Sequence, residues 1–228
     1  MSADDQKRHA GEAAALRVEA GMVVGLGTGS TAAWFVKALA ARNLPGLRCV
    51  PTSEATAELA RDLGLTLSTL EDTPRIDLTV DGADEVGPGL ALIKGGGAAL
   101  LREKLVWEAS RRCVVIADAG KRVARLGAFP LPVEVVSFGH RTTLDRICDA
   151  LSECDIGAAP RLRMKEGAPV LTDSGNVIYD IACGRIEAPA ALAAALKSVT
   201  GVVDHGLFLD LADLALVATD AGVVEIEP

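Results

Sequence analysis

Residues 22–41 read MVVGLGTGSTAAWFVKALAA and contain the pattern that decides the fold. The first five are apolar apart from one glycine, which is typical of a short buried strand. Residues 31–41 carry apolar side chains at helical spacing, and the glycines between the two segments permit a sharp turn of the backbone. A strand, a glycine-rich turn and a helix in this order predict the start of a βαβ unit.

The same alternation of strand and helix patterns extends on both sides of this segment. The predicted elements are a helix at 4–20, strands at 22–26, 47–50, 76–80 and 113–117, and helices at 31–41, 54–63 and 98–110. Strands that are regularly separated by helices imply an α/β fold with an open, mainly parallel, Rossmann-like sheet.

The pattern changes near the segment FPLP at residues 129–132. The next predicted elements are strands at 133–136, 161–164 and 201–204, helices at 142–152 and 189–197, and a hairpin arm at 170–182 that turns at 173–176. Their order, β-α-β-β-α-β, is that of a ferredoxin-like α+β module. Residues 214–226 have strand character and could rejoin the first sheet. We therefore expect an α/β domain of residues 1–128 plus 206–228, interrupted by a small ferredoxin-like domain of residues 129–205.

The composition argues against several classes of partner. The 228 residues include 23 Lys and Arg against 31 Asp and Glu, which gives a formal charge of −8, and aromatic residues make up only 3%. An acidic chain is a poor general binder of nucleic acid or anionic membranes, and so few aromatic residues do not favour stacking on bases. We expect no nucleic-acid and no membrane partner, and an anionic ligand would have to be attracted by local groups.

The amino-terminal residues and the cysteines favour a cytoplasmic location. Residues 1–9 are polar, and no apolar run reaches the roughly 18 residues of a membrane span. The cysteines are odd in number and form no C-x-x-C pair, which favours buried thiols in a reducing compartment over disulfides. They are Cys49, Cys113, Cys148, Cys154 and Cys183. The three histidines lack the spacing of a metal site, so we expect no metal and no cofactor.

The turn between the first strand and its helix contains Thr28, Gly29, Ser30 and Thr31. Glycines allow several backbone N–H groups to face one point, the helix start adds partial positive charge, and the hydroxyls add donors. This combination suits a phosphate group. The loop also satisfies a loose dinucleotide-binding pattern, and a plain tight turn is the structural alternative.

Acidic residues follow the third predicted strand in the segment Asp81-Gly82-Ala83-Asp84. The carboxyl ends of parallel strands face the ligand crevice of an open sheet, so both carboxylates are candidates for substrate binding. A solvated turn is the alternative, because Asp and Gly are common turn residues. Lys121 follows the fourth strand at the same edge and could bind a phosphate or be a surface lysine.

Three successive glycines follow Lys94 and precede the helix that contains Glu103. The glycines Gly95, Gly96 and Gly97 are costly in entropy and make sense where backbone N–H groups must contact a ligand. Glu103 can face the same crevice from the first two turns of its helix, although a surface charge is the alternative for an acid between Arg and Lys.

Together these segments resemble the type A family of ribose-5-phosphate isomerases, and the resemblance covers essentially the whole chain. It is carried by GMVVGLGTGST at 21–31, TS at 52–53, VDGADE at 80–85, IKGGGAALLREK at 93–104, IAD at 116–118 with Lys121, PLPVEV at 130–135, TDSGN at 172–176 and GLF at 206–208. A chance glycine loop would not be accompanied by the other segments in the same order. Minor departures are Gly120 and Arg122 beside Lys121, and Ser174 in place of a more usual Asn.

The resemblance implies an aldose–ketose isomerase that interconverts D-ribose 5-phosphate and D-ribulose 5-phosphate through an enediolate, without a metal. It identifies Glu103 as the base that moves a proton between C2 and C1. Lys94 and the following glycine N–H groups could stabilise the oxyanion. Asp81 and Asp84 could bind sugar hydroxyls and assist ring opening, and which of the two assists is left open.

The remaining implications concern substrate contacts and assembly. The predicted substrate-binding residues are Thr28, Gly29, Ser30, Thr31, Asp81, Gly82, Ala83, Asp84, Lys94, Gly95, Gly96, Gly97 and Lys121. Of these residues, Ser30 and Thr31 are assigned to the phosphate, and Lys121 is a further contact. The family resemblance also suggests a homodimer or homotetramer.

Two other functions are weighed against this one. A nicotinamide-dependent oxidoreductase would fit the glycine loop, but it needs an acidic residue at the end of the second strand, where Glu54 is the nearest acid. A non-catalytic sugar-phosphate sensor of a transcription regulator would carry a DNA-binding module, which an acidic chain with its first strand at residue 22 does not suggest.

Overall fold

Six α-helices and 15 strands form the regular structure of the computed structural model, which describes residues 1–228. The helices are α1 Ala3–Ala15, α2 Ser30–Ala41, α3 Glu54–Asp62, α4 Leu100–Glu108, α5 His140–Glu153 and α6 Pro189–Ser198. The strands are β1 Val23–Leu26, β2 Arg48–Pro51, β3 Leu78–Gly82, β4 Glu85–Val86, β5 Leu92–Ile93, β6 Cys113–Asp118, β7 Leu131–Val135, β8 Arg161–Leu162, β9 Met164–Lys165, β10 Ala168–Pro169, β11 Val177–Ile181, β12 Val202–His205, β13 Leu207–Phe208, β14 Leu214–Thr219 and β15 Gly222–Ile226.

The chain divides into two compact units. The first consists of Met1–Ala83, Arg102–Arg122 and Asp210–Pro228, and the second of Asp84–Leu101 and Val123–Leu209. The predicted domain boundaries at 128/129 and 205/206 stay a prediction, and the units differ from them mainly because residues 84–101 belong to the second unit. These residues contain β4 and β5, and β5 pairs with both β4 and β13.

The first unit contains a six-stranded sheet in the order β15-β14-β6-β3-β1-β2. All neighbouring strands are parallel except β14 and β15, so the prediction of an open, mainly parallel sheet is confirmed. The tail of the chain rejoins this sheet as predicted, with Leu214 opposite Val114. All four residues of β1 are buried, which is why this strand reads as an apolar run rather than an alternating pattern.

The second unit contains an antiparallel sheet in the order β12-β7-β11-β8. Its chain order, β7-α5-β8-β11-α6-β12, is the β-α-β-β-α-β order predicted for a ferredoxin-like module. Ile147 and Leu151 of α5 and Leu192 and Leu196 of α6 are buried in the same apolar core as the strands. The apolar stripe of each helix thus covers one face of the sheet.

The predicted hairpin arm at 170–182 is only partly present. Its turn closes through a hydrogen bond of 2.9 Å from the Thr172 N–H to the Asn176 carbonyl. After the turn β11 forms as expected, but before it only Leu171 bridges Val177. The preceding residues pair elsewhere, because β10 pairs with β9.

A three-stranded antiparallel sheet of β4, β5 and β13 is absent from the sequence prediction. Each of these strands has two residues, too few to show a period of two. The carboxylate of Glu85 in β4 is 2% exposed and accepts hydrogen bonds of 2.7 Å and 2.5 Å from the Gly127 and Phe129 N–H groups. These bonds attach this sheet to the segment that precedes β7.

Two helix boundaries differ from the prediction for local reasons. α1 ends at Ala15 rather than at residue 20, and the Arg42 guanidinium donates to the Ala15 carbonyl and, at 2.6 Å, to the Val18 carbonyl in the segment after the helix. α4 begins at Leu100 rather than at residue 98, because Ala98 has a φ of 60°, which a right-handed helix does not allow.

None of the helices combines the length and the apolar character that crossing a membrane requires. The cysteines are all free thiols, but the expectation that all five are buried is wrong. Cys49 and Cys113 are buried, whereas Cys148 is exposed. Cys148 lies outside the buried face of α5, which contains Ile147 and Leu151.

Burial predicts an order of thiol reactivity. It raises the pKa of the Cys49 thiol to about 12, so at pH 8 this thiol is both inaccessible and protonated. We expect iodoacetamide to alkylate the exposed Cys148 first and to leave Cys49 unmodified in the folded protein. Peptide mass spectrometry over a time course measures this order, with alkylation in denaturant as the control. Early labelling of Cys49 would contradict the burial of its thiol.

Candidate active site

The glycine loop between β1 and α2 lies directly against the end of β3. A Cβ atom on Gly27 would lie 2.1 Å from Asp81 Oδ1 and 2.6 Å from its Cα atom, so this position accommodates only glycine. The Gly27 N–H donates to the Val80 carbonyl at 3.0 Å, and Gly29 has a φ of +108°, which also favours glycine. The loop glycines therefore permit a close approach of two backbones and a left-handed turn.

The carboxylate of Asp81 is completely buried at this point of approach. Its Oδ1 atom accepts hydrogen bonds from the Thr28 N–H at 3.1 Å and from the Gly82 N–H at 2.7 Å. Hydrogen bonds from N–H groups to a carboxylate are strong because the acceptor is charged. The solvated-turn interpretation is therefore wrong for Asp81, which ties the glycine loop to β3.

The hydroxyl of Thr28 lies in a cluster of hydroxyl groups from the end of β2 and the start of α3. Its Oγ1 atom is 2.7 Å from Thr52 Oγ1, 2.8 Å from Ser53 Oγ and 3.2 Å from Thr56 Oγ1. Thr56 also donates to the Gly27 carbonyl at 3.0 Å. The predicted phosphate donor Thr28 thus uses its side chain within the protein, and Thr56 is a residue that sequence reasoning missed.

Ser30 and Thr31 open α2, where the first turn presents unpaired N–H groups and partial positive charge. Ser30 is exposed, and its Oγ atom accepts a hydrogen bond of 3.1 Å from Lys7 Nζ. Lys7 was not predicted, because nothing in the sequence of α1 distinguishes it from a surface lysine. Gln6 of the same helix accepts a hydrogen bond of 3.1 Å from the N–H of Ala119, which begins the short 3₁₀ turn that ends at Lys121.

Glu103 is buried in the first turn of α4. Its exposure of 3% excludes the surface-charge alternative for this residue. Its neighbour Arg102 behaves differently and forms an ion pair of 2.8 Å with Glu54 on α3. Glu54 is the acid nearest to the end of the second strand, and it is paired with this arginine rather than left alone at the sheet edge.

A second set of predicted residues lies in the second unit, around the end of β5. Lys94 is 2% exposed, and its ammonium lies 5.4 Å from the centre of the Phe208 ring, within cation–π range. The Gly96 N–H donates to Asp84 Oδ2 at 2.8 Å. Gly96 and Gly97 are exposed, whereas Gly95 is buried, and the contact of this loop with a ligand stays a prediction.

The predicted site residues thus fall into two sets, one in each unit. The first unit contains Thr28, Gly29, Ser30, Thr31, Asp81, Gly82, Ala83, Glu103 and Lys121. The second unit contains Asp84, Lys94, Gly95, Gly96 and Gly97. The first set combines buried carboxylates with N–H and hydroxyl groups at a helix start, and the second combines a buried ammonium with the exposed backbone of Gly96 and Gly97. Such groups suit proton transfer on a small phosphorylated molecule.

Comparisons with known proteins agree on one family. The family model for ribose 5-phosphate isomerase A, also called phosphoriboisomerase A, matches residues 48–222. The chain is 72% identical to ribose-5-phosphate isomerase A of Caulobacter vibrioides over 228 residues, all of both chains. It is 55% identical to that of Methylorubrum extorquens over 225 residues, 97% of this chain and 95% of that one.

Solved structures give the same result. A D-ribose-5-phosphate isomerase in complex with phospho-erythronic acid superposes with a TM-score of 0.93 at 36% identity, over 100% of both chains. The ribose 5-phosphate isomerase A of Methanocaldococcus jannaschii superposes with a TM-score of 0.90 at 36% identity, again over 100% of both chains.

Proposed function

Because this chain belongs to the ribose 5-phosphate isomerase A family and is an isomerase, we propose that it interconverts D-ribose 5-phosphate and D-ribulose 5-phosphate. The observation that carries the mechanism is the burial of Glu103, because a buried glutamate does not serve as a surface charge. An ionised glutamate can accept a proton from a carbon atom that is held beside its carboxylate.

The proposed reaction begins with the open-chain aldose, which carries its carbonyl at C1. Glu103 removes the proton from C2, the electron pair forms the C1–C2 double bond, and negative charge develops on O1. Glu103 then returns the proton to C1 while a proton passes from O2 to O1, which leaves the carbonyl at C2. A single base that serves both carbons accounts for the whole isomerisation.

Negative charge on the enediolate oxygens needs a stabilising partner. We assign this role to Lys94 and to N–H groups of Gly95–Gly97, because an ammonium and backbone N–H groups are suitable donors and two of the three glycines are exposed. Asp81 and Asp84 are assigned to the sugar hydroxyls, and one of them to ring opening. Each already accepts at least one backbone N–H bond, which fixes its carboxylate.

The phosphate is assigned to the start of α2, through Ser30, Thr31 and the N–H groups of the loop, with Lys121 as a further contact. The ammonium of Lys7, 3.1 Å from Ser30 Oγ, supports this assignment because it adds positive charge to a helix start. Such local charge attracts an anion to a chain whose net charge is −8.

The proposal extends to conditions and location. The reaction needs no metal and takes place in the cytoplasm. The protein has neither nucleic acid nor a membrane as a partner, and it assembles as a homodimer or homotetramer. The carboxylate base transfers the proton and the lysine stabilises the negative charge, which supports a reaction that needs no Lewis acid.

Turnover of ribose 5-phosphate tests the proposed function directly. We expect the purified protein to form ribulose 5-phosphate, and to do so at an unchanged rate after exhaustive chelation and gel filtration. Deuterium incorporation from D₂O into the product, followed by NMR, would report exchange of the transferred proton with solvent. Absence of turnover would contradict the function, whereas loss that only a divalent cation restores would contradict metal independence alone.

A further inference from the structure

A guanidinium group from the antiparallel sheet of the second unit contacts the Gly95–Gly97 loop. Arg163 lies between β8 and β9, and its side chain is 15% exposed. Its Nη1 atom donates to the Gly95 carbonyl at 2.8 Å and to the Gly96 carbonyl at 3.2 Å. An arginine at least 67 residues away in the chain therefore binds two successive carbonyl groups of the loop.

Asp180 on β11 holds the guanidinium from its other side. Arg163 Nε is 2.8 Å from Asp180 Oδ2, and Arg163 Nη2 is 2.5 Å from Asp180 Oδ1. Two parallel hydrogen bonds between a guanidinium and a carboxylate fix both the position and the plane of the arginine. The backbone of Arg163 is also fixed, since its N–H donates to the Ile178 carbonyl at 2.8 Å.

These contacts determine which way the peptide groups of the loop face. The peptide group between Gly95 and Gly96 is held at both ends, its carbonyl by Arg163 and its N–H by Asp84 at 2.8 Å. In a trans peptide the carbonyl and the N–H point in opposite directions. The Gly96 carbonyl faces Arg163, so the N–H of Gly97 points away from the guanidinium.

Without such contacts three glycines would sample many backbone conformations. A donor that stabilises a developing charge is effective when it is already oriented before the reaction. A cation on the carbonyl side also polarises the peptide group and strengthens its N–H as a donor.

We propose that Arg163, held by Asp180, is a positioning residue for the isomerisation, which orients the Gly95–Gly97 backbone so that the Gly97 N–H donates to the oxyanion of the enediolate. The proposal rests on the function proposed above and deepens it. Arg163 acts through the loop backbone, whose N–H meets charge that develops only on the enediolate, so its effect belongs to the chemical step rather than to initial binding.

The test compares Arg163→Ala, Arg163→Lys and Asp180→Asn with the wild type and with Arg161→Ala, a control at an exposed arginine of β8. We expect Arg163→Ala to lower kcat by roughly 10- to 100-fold, less than the loss of a direct oxyanion donor, with a much smaller change in KM. Arg163→Lys should recover part of kcat, and millimolar guanidinium ion should partly rescue Arg163→Ala. Arg161→Ala should match the wild type.

The outcomes separate this inference from the proposed function. An inactive wild type would overturn both. An active wild type with an unchanged kcat in folded Arg163→Ala would overturn the positioning role alone. If Arg163→Ala does not fold, the test rests on Arg163→Lys and Asp180→Asn. In these variants, a raised KM or a lower melting temperature at constant kcat would overturn the proposal.

Discussion

Glu103→Gln is expected to abolish turnover. A positioned base contributes roughly 10²–10⁴-fold to the rate, so kcat should fall by at least this factor. The amide keeps the size of the buried side chain and one acceptor oxygen, but it cannot accept a proton from carbon. Binding of ribose 5-phosphate should persist, because the phosphate and hydroxyl contacts are assigned to other residues. Isothermal calorimetry measures the affinity, and a coupled assay measures kcat.

The same helix provides a matched control for this variant. Glu108 is exposed at the end of α4, so Glu108→Gln changes the net charge equally without entering the buried region. It should retain wild-type kcat. Near-normal activity of Glu103→Gln would remove the base assignment, and loss of both activity and binding would indicate a structural role for this carboxylate instead.

Gly27→Ala is expected to damage both stability and activity. The added Cβ atom would lie 2.1 Å from Oδ1, 2.3 Å from Cγ and 2.6 Å from Cα of Asp81, and contacts this short cannot be relieved by a side-chain rotation alone. We expect a loss of about 1–3 kcal/mol in the free energy of unfolding, as for other overpacked interiors. Because the glycine loop and Asp81 must separate, kcat/KM should fall by roughly 10²-fold.

Gly157→Ala is the control for this substitution. A Cβ atom at Gly157 meets nothing within 4 Å, and its φ is not positive, so alanine is accommodated there without strain. Urea denaturation gives the stability of each variant and a ribose 5-phosphate assay gives its activity. If Gly27→Ala matched Gly157→Ala in both measurements, the close approach of the loop to Asp81 would be incorrect.

The sequence was sufficient for those features that depend on local pattern. The alternation around residues 22–41 predicts the βα units, because strands buried on both faces are continuously apolar and glycines punctuate the turns. The same logic locates the glycine loop, the Asp81–Asp84 segment and the Lys94–Gly97 segment. The resemblance to a known family added the roles of these residues.

Features that depend on pairing across long separations could not be predicted in this way. The two-residue strands β4, β5 and β13 exist because they pair with one another, not because of a pattern of their own. Arg163 and Lys7 are ordinary basic residues in the sequence and acquire a role only from the carbonyls or hydroxyl that the fold places beside them. The exposure of Cys148 depends likewise on which face of α5 is covered.

The pairing of β14 with β6 has a consequence for synthesis on the ribosome. Residues 119–213 separate the two strands, and at roughly 5–20 residues per second their translation takes on the order of 5–20 s. During that interval the nascent chain has one unpaired edge of β6, a strand of six buried residues. Such an edge can pair with other chains, so we infer that emerging copies of this protein depend on chaperones or on well-spaced ribosomes until the last two strands are made.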